Sequence, residues 1–82
     1  MIEIIGNSLR IEEENFYYAI PFLYVMGIHK TLSANGNIKE IYLITGRGEN
    51  ILIYSFRDFC QKDLIINYAV LKATIDYYRR KR

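Results

Sequence analysis

The segment from Asp58 to Arg82 constrains the chain most, because it reads as one long helix with more apolar surface than one face can hold. At about 100° per residue, Leu64, Tyr68, Leu71, Ile75 and Tyr78 fall on one stripe. Ile66, Val70, Ala73 and Tyr77 fall on a second stripe, nearly opposite. Lys72, Asp76, Arg79 and Arg80 occupy one wedge between them, and Asn67 and Thr74 the other. A surface helix of a small domain normally has one apolar face. Two faces call for burial on both sides. The first stripe is expected on the chain's own sheet and the second on a partner, most simply another copy.

The remaining sequence is short. Eighty-two residues make one domain, 1–82, with a modest core. An apolar share of 51% and a charged share of 24% fit a folded chain rather than a disordered one. Eight tyrosines, no tryptophan and one proline favour strands.

The strands follow in order. Ile2–Ile5 and Ser8–Glu12 flank Gly6-Asn7, a good two-residue hairpin loop because glycine accepts a positive φ. Glu12 to Asn15 should be an exposed turn. Phe16–Ile20 is β-prone and Pro21 ends or bends it at an edge. Phe22–Thr31 reads as a central strand, with Leu23, Val25 and Gly27 on one side and Tyr24, Met26 and Ile28 on the other; Gly27 marks a bulge or a close approach. Ser33 to Asn37 is a turn. Ile38–Thr45 and Ile51–Phe56 form a hairpin around Gly46-Arg47-Gly48-Glu49-Asn50, with Ile38, Tyr42 and Ile44 on one face and Ile41 and Leu43 on the other. Asp58 or Asp63 is expected to cap the final helix, and its terminal cations oppose the helix dipole.

This predicts an α+β fold: about five short antiparallel strands in a curved sheet or small half-barrel, with one long C-terminal helix packed across it. That element order resembles the pleckstrin-homology-like barrel, in which curved antiparallel strands are capped by a C-terminal helix. The resemblance is one of pattern over the whole chain. It carries no diagnostic residue, and no function follows from it.

Charge sets further bounds. A net +2 is too small to imply a polyanionic partner. Residues 1–30 balance to about −2 and residues 56–82 to about +4 by simple counting, so the two ends are complementary, within the chain or between copies. Met1-Ile2-Glu3 lacks the basic start of a signal peptide. The apolar run Phe16–Ile28 is too short to span a bilayer. One cysteine, Cys60, precludes an intramolecular disulfide and suits a reducing compartment. The expectation is a cytoplasmic protein with no membrane span.

Chemistry finds little to build on. Cys60 lies near the helix start beside Arg57 and Lys62, which favours a thiolate, and His29 is the one histidine available as its base. A cysteine between Phe59 and Gln61 is more often a small buried hydrophobe. One histidine and one cysteine fall short of a zinc set, and Glu12, Glu13 and Glu14 read as a solvated turn. Gly46-Arg47-Gly48 lacks the third glycine and the following helix of a dinucleotide loop. Lys72, Arg79, Arg80, Lys81 and Arg82 could contact phosphates, with Tyr77 and Tyr78 stacking on bases. Anionic lipid is a weaker option, because no second anchoring signal accompanies the basic end.

Self-assembly disposes of the surplus apolar surface without any chemistry. Burying four or five such side chains at a seam releases on the order of 5–10 kcal/mol of gross hydrophobic energy, before association costs. The leading expectation is therefore a non-enzymatic interaction or structural module acting as a homo-oligomer. No cofactor is expected, an unknown protein partner is possible, and the proposed seam is Ile66, Val70, Ala73 and Tyr77. The alternative is a nucleic-acid-binding accessory protein using the basic helix end. A structural counter-reading has the strands curling round the helix to cover both stripes. The seam depends on both flanks needing a neighbour: one flank facing bulk water in an isolated subunit would collapse the case for self-assembly.

Overall fold

The computed structural model describes residues 2–80. Its elements are β1 (Ile2–Ile5), β2 (Ser8–Glu12), β3 (Tyr17–Pro21), a single 3₁₀ turn (Phe22–Tyr24), β4 (Val25–Leu32), β5 (Ile38–Thr45), β6 (Asn50–Ser55) and α1 (Gln61–Arg80). The class is α+β, as the sequence predicts. The finer picture is corrected: six strands form two separate antiparallel sheets, β1-β2-β3 and β4-β5-β6, rather than five in one curved sheet or half-barrel.

The break between the sheets lies at Pro21. Hydrogen bonds from Glu13 N to Phe16 O and from Phe22 N to Asn7 O close the two ends of the β2–β3 ladder. By the antiparallel alternation, Tyr18 and Ile20 then bond to β2, while Tyr17, Ala19 and Pro21 turn their backbone groups outward. Pro21 therefore sits where its missing N–H costs no ladder bond. The next three residues coil into the 3₁₀ turn instead of extending. The expected strand Phe22–Thr31 accordingly loses its first turn and begins at Val25.

Bulges correct the facing of side chains in the second sheet. The register slips between Val25 and Gly27, which makes Met26 the extra residue beside the expected glycine. Val25 and Ile28 thus share the core side, against the simple alternation. A second slip leaves Lys39 unpaired, so Ile38 is buried with Ile41 and Leu43 rather than facing away with Tyr42 and Ile44. A third, at Ile53, lets Ile53 and Tyr54 both turn inward.

The helix packs on β4, β5 and the 3₁₀ turn, and one cluster of buried side chains joins it to both sheets. Leu64, Leu71 and Ile75 are almost fully buried. Burial at this level stabilises by about 1.5–3 kcal/mol per side chain. Two polar pins fix the ends of the helix. The Gln61 side chain bonds the Ile38 backbone twice, accepting from its N–H at 2.6 Å and donating to its carbonyl at 2.9 Å. At the other end Tyr78 stacks on Phe22, with centroids 5.4 Å apart, and donates its hydroxyl to Gly6 O at 3.2 Å. Lys30 lies over the Tyr68 ring at 4.5 Å.

The helix starts between the two predicted caps, at Gln61. Leu64 N donates to Cys60 O, so Cys60 holds the cap position, while Asp58 belongs to the preceding turn and Asp63 to the first helical turn. Neither aspartate is the cap residue. Asp63 still places a negative charge at the positive end of the helix dipole.

Candidate functional site

The two stripes of the helix meet different surroundings. Stripe one is covered by β4, β5 and the 3₁₀ turn. On stripe two, Ile66, Val70 and Tyr77 are 49%, 47% and 51% exposed, and Ala73 is also exposed. Ile65 extends the patch at its edge. The strands do not curl round to cover this flank.

The exposed stripe is held in place. Tyr77 meets Tyr78 edge to face at 5.1 Å, and Tyr78 in turn stacks on buried Phe22. A rigid aromatic of this kind loses little rotamer freedom on being covered. Thr74 bonds back to Val70 O at 2.8 Å, which fixes its hydroxyl beside the stripe.

The predicted nucleic-acid residues separate. Lys72 faces Asp76 at 3.6 Å, an exposed pair one helical turn apart. Arg79 and Arg80 are exposed at the helix end, and Lys81 and Arg82 lie outside the described residues. Tyr78 packs one face of its ring against Phe22, while Tyr77 is half-exposed.

Cys60 is exposed at the helix cap rather than buried as a small hydrophobe. Because Lys30 points to the helix, His29 points to the opposite face of β4, where it lies 6.2 Å from the Tyr42 ring. Among the described residues no hydrogen bond or ring contact joins Cys60 to His29. No group of three His, Cys, Asp or Glu side chains gathers there either. Gly46 to Glu49 form a hairpin turn: Gly48 N donates to Thr45 O, and Glu49 N to the Thr45 hydroxyl. Gly48 has φ +81°, the left-handed region that suits glycine.

The acidic turn and the basic helix end lie far apart. Tyr78 reaches Gly6 at one end of β2, and Glu12 to Asn15 follow its other end. Five strand residues separate the ends by roughly 17 Å. Among the described residues the ion pairs Arg10–Glu12 and Lys72–Asp76 each lie within one end of the chain.

Two tyrosines have shifted pKa values. The hydrogen bond with Glu40, then desolvation and the charge of Glu40, raise that of Tyr42. Burial raises that of Tyr54.

Sequence reasoning passed over Gln61, whose reach to Ile38 has no sequence signature, and the aromatic run Phe16-Tyr17-Tyr18, all half-exposed. Three adjacent aromatics in an uncharged strand were the available signal.

Comparison with protein-family models, curated proteins and solved structures gives no match. No helix among the described residues is long and apolar enough to cross a membrane.

Proposed function

We propose that this chain is a small non-catalytic interaction or structural module, and that it works as a homo-oligomer joined along Ile66, Val70, Ala73 and Tyr77. The single observation that carries the reading is a half-exposed apolar stripe on a helix whose opposite stripe is buried at Leu64, Leu71 and Ile75. Contiguous apolar surface of this kind is a common mark of protein interfaces. Its composition fits an interface centre, with an anchored tyrosine beside aliphatic residues and no charge on the stripe itself.

The chain's own strands leave this flank in water, so the species stable in solution decides the matter. Light scattering across a dilution series should return a mass above that of one chain, and Val70→Glu with Ala73→Glu should lower it. A concentration-independent monomer for the unaltered chain removes the proposal.

The competing reading, nucleic-acid binding through Lys72, Arg79, Arg80, Lys81 and Arg82, draws on the exposed pair Arg79 and Arg80. It is weaker because Lys72 already faces Asp76 and Tyr78 packs inward. Its test is a mixed oligonucleotide pool titrated over a salt series, where absence of binding at low salt rejects it.

A further inference from the structure

The four sheet edges differ in how they resist pairing with another strand. Native edges are commonly blunted by charge or by bulges. Strand β1 carries Glu3, β4 carries Lys30 and the slip at Met26, and β6 takes the slip at Ile53. Strand β3 has neither: Tyr17–Pro21 holds no charged residue and pairs with β2 in unbroken register, and its one blunting residue is Pro21 at the end.

Its free edge is also primed. The ladder phase turns the N–H and C=O of Tyr17 and Ala19 away from β2, and no described residue bonds them. Tyr18 lies opposite buried Ile11, on the core side of the sheet, yet stays 51% exposed. Phe16 packs against it edge to face at 5.4 Å and is also half-exposed. The apolar face of the first sheet therefore runs past the last side chain its own fold covers.

We infer that β3 is a strand-addition site for β3 of a second copy, paired antiparallel about a two-fold axis. One register satisfies most of the outward groups. It sets Tyr17 opposite Ala19 of the other copy and Tyr18 opposite the same tyrosine, so both outward N–H groups find carbonyls. Centring the pair on Ala19 instead would set Tyr17 against Pro21, which has no N–H to give. In the favoured register the two Tyr18 rings meet at the axis with Phe16 beside them, and the two apolar faces join.

Charged groups lie at the same end of the strand. The groove flanking Ala19–Pro21 has Thr45–Glu49 as its far wall, with Arg47 and Glu49 both on it. Arg47 forms no ion pair among the described residues. The antiparallel register brings the other copy's acidic turn, with Glu14, to this end of β3, on the side where Arg47 and Glu49 stand. The surface is separate from the helix stripe and stands or falls independently of it.

The test combines amide hydrogen exchange with association by light scattering. As concentration rises from micromolar to millimolar, exchange at Tyr17 and Ala19 should slow by about tenfold or more, with Tyr18 and Ile20 protected throughout. Tyr18→Lys sets two ammonium groups face to face at the axis, and Ala19→Pro removes an outward donor without touching the β2 ladder. Either should weaken association at least as strongly while leaving the circular dichroism of the fold intact. Exchange at Tyr17 and Ala19 that stays fast at every concentration overturns the proposal. So does association unchanged in both folded variants. Assembly lost in Val70→Glu but kept in both β3 variants sinks this edge and leaves the helix seam standing. If neither variant folds, exchange in the unaltered chain decides.

Discussion

The two flanks of α1 are built from similar residues and have opposite fates. Leu71 and Val70 are neighbours in the chain, yet Leu71 is 2% exposed and Val70 is 47% exposed. One step along a helix turns a side chain by about 100°, which here carries it from the core to the surface. Apolar character alone therefore did not decide burial. What decided it was which flank the pinned helix turns to the sheets, and the pins are Gln61 on Ile38 and Tyr78 on Gly6.

This contrast can be broken at several points. The largest effect is expected at Leu71→Ala, which should lose about 2–5 kcal/mol through the cavity it leaves. Urea denaturation measures this, and a loss near zero would mean that the flank is not packed. Next comes Gln61→Ala. It removes both bonds to Ile38 and should cost about 1–3 kcal/mol, the buried N–H left unpaired being the larger part. Unfolding midpoints should show this loss without a change in slope.

A smaller, pH-dependent effect comes from the buried side. The folded state favours neutral Tyr54, whose pKa is raised by burial above its ordinary value near 10. Its contribution is complete below the unfolded pKa and is lost as pH rises through the folded one. Stability should fall with alkaline pH above about 10, and Tyr54→Phe should flatten that part of the curve. An identical decline in the variant would assign the slope to other groups.

Val70→Ala sharpens the comparison from the exposed flank. In the dissociated chain it should change stability by no more than about 0.5 kcal/mol, as surface positions do. A cost that appears at high concentration and vanishes on dilution would locate the difference in association.

Much of this was legible in the chain. The 3.6-residue period separated Leu64, Leu71 and Ile75 from Ile66, Val70 and Tyr77, and both groups fell where the period put them. The Gly6-Asn7 hairpin followed from local turn chemistry, and Pro21 ended its strand as expected. The faces of the second sheet were harder. Ile38 turned inward because Lys39 bulges, and a bulge depends on how two strands settle against each other. The candidate site divides in the same way. The helix stripe was readable, while the free edge of β3 was not. Edge status belongs to a strand only once every other strand has found its partner.

Periodicity and turn chemistry are local, and so the sequence by itself determined the elements, their apolar faces and the unusual doubling on the helix. The split into two sheets, the side of the helix that is covered and the strand left with an open edge were decided only in three dimensions. Each rests on contacts between segments distant in the chain, such as Gln61 with Ile38 and Tyr78 with Gly6, and local preference carries no information about which distant groups will meet.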